Sequence, residues 1–203
     1  MNAFSVVAQF EEAIARFAGS RFAVAVNSGT SALFLSMKYA ASGEVIIPAR
    51  TFVSVPMAAV QCGLAVKFED FAWSGVYQLR PHAICDGALR FRKGMYKGGL
   101  HCLSFHARKL LNIGEGGMVL TDDSEAADWL RRARYSGRGG PSFAIEDIGM
   151  LGWQCYMTPE KAARGLHLLE YAQDCADQSV EYPDLRTVKY FRELSNRPKI
   201  RAA

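Results

Sequence analysis

The chain has 203 residues, half of them apolar, which suits one compact core with a small appendage. No run of about 18 apolar residues occurs, so no membrane-spanning helix is expected. A formal charge of +4 admits anionic small molecules as ligands but lacks the dense basic stripe of a nucleic-acid binder.

The N-terminus carries Glu11 and Glu12 and no basic start, so no signal peptide is expected. Five scattered cysteines (Cys62, Cys85, Cys102, Cys155, Cys175) include no Cys-x-x-Cys pair. They point to reduced thiols in a cytoplasmic compartment, with neither a disulfide framework nor a zinc site.

Phe4, Val7, Phe10, Ile14 and Phe17 recur at helical spacing, and Gly19 ends that helix. Phe22 to Val26 reads as a buried strand, and Asn27 to Ser31 opens a second helix reaching about Ala41. Glu44 to Pro48 is a strand, Thr51 to Gln61 a helix closed by Gly63, and Leu64 to Phe68 a strand. Phe71 to Pro81 is irregular. His82 to Cys85, Leu100 to Phe105 and Gly117 to Thr121 are short strands. Asp123 to Tyr135 is a helix whose first acids suit the helix dipole. Ser136 to Gly152 is a glycine-rich loop. Thr158 caps a helix that begins with Pro159 and runs to about Asp174. A last amphipathic helix, about Leu185 to Leu194, precedes a basic tail read as frayed. Strands alternating with helices over the first 135 residues predict an α/β layered fold with a largely parallel sheet.

In such a sheet, ligands bind at the carboxyl ends of the strands. Ser28-Gly29-Thr30 follows one strand and opens a helix, where free N–H groups and the dipole favour a phosphate. Asp86, Thr51-Phe52, and Ser104 with Lys109 follow three other strands. Singly, each has a plainer role: an N-cap, a turn acid, a core aromatic, a solvated lysine. Gly114-Glu115-Gly116-Gly117 alone is a tight turn, and no Gly-Lys-Ser/Thr follows to make a nucleotide loop. Together, a phosphate cradle, an acid, an aromatic plane and a lysine match what pyridoxal phosphate needs.

The segment from Ser104 to Met118, Ser-Phe-His, two residues, Lys, then Gly-Glu-Gly-Gly-Met, resembles the signature of the DegT/StrS-type sugar aminotransferases. "FEEAIARFAGSRFAVAVNSGTSAL", "EVIIPARTFVS" and "GWQCYMTPEKAARGLHLLE" are similar to further family segments, so the resemblance covers about residues 8 to 172. It implies a three-layer α/β sandwich with a mainly parallel sheet, the large domain of fold-type-I pyridoxal-phosphate enzymes, over residues 1–150. Residues 151–203 would be a helical segment in place of a small domain.

The resemblance makes Lys109 the Schiff-base lysine and proton shuttle, and Asp86 the acid on the pyridine nitrogen. Ser28, Gly29, Thr30 and Ser104 would bind the phosphate, and Phe52 would stack on the ring. Gln154, where the family has asparagine, would reach the neighbouring subunit's phosphate in a homodimer. The implied reaction moves an amino group from a donor such as glutamate to the keto group of a nucleotide-linked sugar. Arg90, Arg92, Lys93 and Lys97 are candidates to meet a diphosphate, with a solvated loop as their plainer reading.

The chain departs from the family pattern in lacking a stretch between "VKFED" and "HAICD". Leu89 stands where the family has a glutamine near the ring hydroxyl, and Tyr156 replaces an arginine. A changed reaction of dehydratase or lyase type stays open, as does a non-catalytic regulatory or scaffolding homodimer. Should Asp86 be only a turn residue, Asp70 is the alternative acid.

Overall fold

The computed structural model describes residues 4–139 and 148–194. The basic tail from Asn196 and the middle of the loop from Ser136 to Gly152 lie outside the described residues. In chain order the elements are α1 (Ser5–Ala18), β1 (Phe22–Val26), α2 (Gly29–Ala40), β2 (Glu44–Pro48), α3 (Ser54–Gln61) and β3 (Ala65–Glu69). Then come β4 (Tyr77–Gln78), β5 (Ile84–Asp86), β6 (Leu100–Ser104), β7 (Gly117–Thr121), α4 (Ser124–Ala133), α5 (Pro159–Leu169) and α6 (Lys189–Leu194). A single 3-10 turn, Leu185–Thr187, precedes α6.

Five strands form one sheet in the order β1-β7-β6-β5-β4, and β2 pairs with β3 beside it. β5 and β6 are parallel, as are β2 and β3, while β7 lies antiparallel to both β1 and β6. β4 is antiparallel to β5, and its continuation bridges Arg80 to Ile46 of β2. Thus β1, β2, β3, β5 and β6 run one way and only β7 and β4 run the other. The inserted β7 makes the ladders mixed although most strands are co-directional.

Strand side chains alternate between faces, and this alternation builds two cores. Val24, Val26, Cys102 and Val119 pack under α2, α3 and α4. Ala23, Ala25, Leu103, Phe105, Met118 and Leu120 pack under Phe10 and Ile14 of α1 and Ala162 of α5. The result is helices on both faces of a sheet, an α/β sandwich of three layers.

The open edge of β1 is closed by a buried ion pair. Glu11 accepts from the Ala25 N–H at 2.8 Å, and Arg134 donates to the Ala25 carbonyl at 2.6 Å and to Glu11. An edge strand whose polar groups are met this way is not left free to pair with another chain.

Several local expectations shift, and the last helix, expected from about Leu185, begins at Lys189 after the 3-10 turn Leu185–Thr187. The irregular stretch from Phe71 contains β4, too short to leave a periodic pattern. α3 begins at Ser54, because Thr51 is drawn into a buried contact with Tyr77 at 2.6 Å. α5 ends at Leu169, short of Asp174, whose carboxylate accepts instead from the Lys93 N–H at 2.8 Å. Thr158 occupies the cap position of α5 but its side chain makes no capping bond. No described helix is long and apolar enough to cross a membrane.

Candidate active site

A cleft of about 310 Å³ opens at the carboxyl ends of β1, β2, β5 and β6. It is lined by Ser28, Gly29, Thr30, Phe52, Asp86, Ser104 and Lys109, so seven of the eight expected site residues meet in one place.

The cradle comes from the start of α2. Ser28 is extended and its Oγ accepts from the Ser31 N–H at 3.1 Å, a side-chain cap that fixes where the helix begins. The first N–H groups of a helix, here those of Gly29 and Thr30, have no intrahelical acceptor. Close packing holds this end in place. A Cβ on Gly117 would lie 2.3 Å from the Ser28 carbonyl oxygen and 2.6 Å from the Gly29 nitrogen. A Cβ on Gly29 would lie 2.8 Å from the Ser104 Cβ. Glycine at both positions therefore lets the α2 N-terminus sit against β7 and the end of β6.

Asp86 ends β5 and is buried. Its carboxylate accepts from the Ala88 N–H at 3.0 Å and from the Tyr77 hydroxyl at 3.0 Å. Burial raises its pKa, and these two donors together with the Lys109 charge oppose the rise. Burial lowers the Lys109 pKa, against the opposing pull of Asp86. A lysine whose pKa burial lowers and a buried acid that feel each other across one cleft are the pattern of a site prepared for proton and carbonyl chemistry. Phe52 is 54% exposed on the cleft wall, a flat apolar face beside the cradle.

A phosphorylated aromatic ring fits these groups: unpaired helix N–H groups for the phosphate, a buried acceptor for a ring N–H, an aromatic wall and an amine. Gln154 is exposed and lies outside this cleft, in a segment bridged to Tyr135 at the end of α4. The basic residues from Arg90 to Lys97 do not line the cleft either, and Arg90 is held by Asp177. The arginine in the cleft wall is Arg108. Asp70 is exposed and paired with Arg186 at 2.8 Å, leaving Asp86 as the buried acid.

Tyr77, Trp73, Gln178 and Tyr182 were not legible as site residues. Tyr77 stands behind Asp86, whereas Trp73, Gln178 and Tyr182 line the cleft. Trp73 and Tyr182 stack with centroids 6.2 Å apart and planes at 13°. All four sit in stretches without helical or strand periodicity, and the aromatic-rich "FAWSGVY" holds only Trp73 and Tyr77 of them.

The chain belongs to the DegT/DnrJ/EryC1/StrS aminotransferase family, whose sequence model matches residues 2–93 and 92–185. It is 30% identical to the spore coat polysaccharide biosynthesis protein SpsC of Bacillus subtilis (strain 168), over 83% of this chain and 57% of that one. That alignment runs over 225 positions yet takes in only part of 203 residues, so the relative carries residues that this chain lacks within the matched span.

Among solved structures, DesI in the presence of its TDP-sugar product is 27% identical. It superposes with a TM-score of 0.65, covering 82% of this chain and 53% of that one. PseC of Helicobacter pylori, an aminotransferase involved in pseudoaminic acid biosynthesis, shares the fold, with a TM-score of 0.77 at 18% identity. That match covers 98% of this chain and 82% of that one. The chain spans about half the length of the curated relatives it matches.

Proposed function

We infer that the cleft binds pyridoxal 5'-phosphate and serves an aminotransferase reaction. The amino group would pass from an amino acid such as glutamate to a keto group of a nucleotide-linked sugar. The observation that carries this reading is the meeting of Lys109, buried Asp86 and the α2 N-terminus in one cleft. Membership of an aminotransferase family and the likeness to DesI, named with a TDP-sugar product, support the reaction and the substrate class.

Bound there, the cofactor supplies an electron sink for negative charge at the substrate carbon. The protein's own groups do the rest. Gly29 and Thr30 N–H groups, with the Ser28 and Ser104 hydroxyls, hold the phosphate. Asp86 accepts from the ring nitrogen and keeps a proton on it. Phe52 covers one ring face. Lys109 Nζ would be the amine for covalent attachment, its pKa lowered by burial, and would then be the base that carries a proton. Residues 1–150 form the cofactor-binding unit in this reading, with 151–203 as its helical extension. The working unit is a homodimer in which Gln154 donates to the phosphate of the other subunit. Its five free thiols suit a cytoplasmic setting.

Purified protein mixed with pyridoxal phosphate and reduced with borohydride should yield a modified Lys109 by mass spectrometry. Glutamate with a TDP-linked keto sugar should then give the amino sugar. An adduct of the same yield in Lys109→Ala protein would overturn the assignment.

A further inference from the structure

After α5 the chain runs extended from Asp174 to Asp184 and crosses the mouth of the cleft. It is tied down at the loops that follow three strands. Beyond β5, Asp174 accepts from the Lys93 N–H at 2.8 Å, and the Gln178 N–H donates to the Leu89 carbonyl at 2.9 Å. In the same loop Arg90 grips Asp177 with two donors, at 2.7 and 2.5 Å. Beyond β6, Gln178 Nε2 donates to the Arg108 carbonyl at 2.9 Å. Beyond β2, Arg50 donates to the Tyr182 carbonyl at 3.4 Å, and the Leu185 N–H donates to the Ala49 carbonyl at 2.9 Å. The opposing wall is shaped to receive the segment. Gly75, at φ +68°, has no Cβ where one would lie 2.3 Å from the Asp177 carboxylate, and Ser74 donates to that carboxylate at 3.2 Å.

This segment leaves one group unanswered. Gln178 lines the cleft, and its Oε1 is buried without a hydrogen-bond partner among the described residues. The same amide spends its nitrogen on Arg108, so what remains is an acceptor, held in place by two bonds of its own residue. A buried amide oxygen without a donor is costly, and the rest of the segment is well tied. A donor brought by a ligand removes that cost.

We propose that residues 174–184 are a strap that forms one wall of the binding cleft. In it, Gln178 is a ligand-binding residue whose Oε1 accepts a hydrogen bond from an O–H or N–H donor of the bound molecule. The inference rests on the cofactor reading of the cleft and adds a residue to it. The donor can be the ring hydroxyl of the cofactor or an amino group carried at the reacting carbon. The chemistry required of Gln178 is the same for both.

Two non-covalent probes separate these sources. Pyridoxamine phosphate carries both the ring hydroxyl and an amine, whereas 4'-deoxypyridoxine phosphate carries the hydroxyl alone. Their dissociation constants would be measured by fluorescence titration for the unmodified protein and for Gln178→Leu and Gln178→Glu. Gln178→Leu should weaken pyridoxamine phosphate at least tenfold. An equal loss for the deoxy probe assigns the donor to the ring hydroxyl, and an unchanged deoxy probe assigns it to the amine. Gln178→Glu keeps an acceptor but cannot donate to Arg108, so it should bind pyridoxamine phosphate better than Gln178→Leu. A purely structural role, acting through the bond to Arg108, makes the two variants equally weak and overturns the proposal. Pyridoxamine phosphate affinity unchanged within twofold in Gln178→Leu also overturns it. Failure of pyridoxal phosphate to label Lys109 in the unmodified protein overturns the functional reading instead. Normal labelling with an indifferent Gln178 overturns only the strap.

Discussion

The Tyr77 hydroxyl donates to the Asp86 carboxylate at 3.0 Å, and the β4–β5 register sets the two residues directly opposite each other. Burial and the charge on Asp86 raise the Tyr77 pKa well above its usual value, so the phenol stays protonated and stays a donor. Thr51 Oγ1, 2.6 Å from the Tyr77 hydroxyl oxygen, completes a buried hydrogen-bonded chain behind the carboxylate.

Tyr77→Phe removes one of the two protein donors to Asp86. A hydrogen bond to a charged group is worth about 1.5–3 kcal/mol. Its loss favours the protonated carboxyl, so the Asp86 pKa rises further. The acid limb of pyridoxal phosphate binding, followed as dissociation constant against pH, should move to higher pH. A limb that stays in place would mean that Asp86 does not govern binding.

Gly117→Ala places a methyl against the Ser28 carbonyl and the Gly29 nitrogen, both backbone atoms that cannot turn aside. The α2 N-terminus must then move off β7. We expect a stability loss above about 2 kcal/mol in urea unfolding. Pyridoxal phosphate affinity should fall by more than tenfold even where the protein stays folded.

His101 gives the fold a pH dependence of its own. Its Nε2 is buried without a partner among the described residues, and burial first, the Arg90 charge second, lower its pKa from 6.5 to about 4. The neutral ring is preferred in the folded state, so its stabilising contribution is fully present above pH 6.5. The contribution is lost as pH falls toward 4, because the unfolded chain binds the proton first. The loss across that window is on the order of 3 kcal/mol. Urea unfolding at pH 7 and pH 4.5 should show it, and His101→Gln should flatten the difference.

The dimer reading is tested by complementation. Phe52 and Val180 expose apolar surface on the cleft wall, with Val53 exposed next to Phe52, which suits a face covered by a second copy. Gln154, exposed and outside its own chain's cleft, is then free to serve the other. Light scattering at micromolar concentration should give twice the chain mass. Mixing Lys109→Ala chains with Gln154→Ala chains should restore one good site per heterodimer. A monodisperse monomer that binds the cofactor tightly would show the site to be complete in one chain.

The amino-acid sequence alone determined what local chemistry sets. The Ser28 cap and the start of α2 are written within four residues, because a helix end needs its own cap. The apolar runs of β1, β6 and β7 read as buried strands, since a sheet covered on both faces buries every side chain. Lys109 with the following glycine turn was legible from the family resemblance, and the structure sets it beside Asp86, the acid proposed with it.

Tertiary structure alone decided the rest. A two-residue strand has no period to detect, so Tyr77 became the partner of Asp86 only through pairing with β5. The antiparallel β7 entered between β1 and β6 because ladder order depends on long-range register, which a strand's own pattern does not encode. Arg90 looked like a free cation and proved to hold Asp177, a residue 87 positions away. Gln178 and Tyr182 reach the cleft from an extended segment whose path is set wholly by distant carbonyls and carboxylates. Such contacts form only when the chain closes large loops, and short-range sequence patterns carry no trace of them.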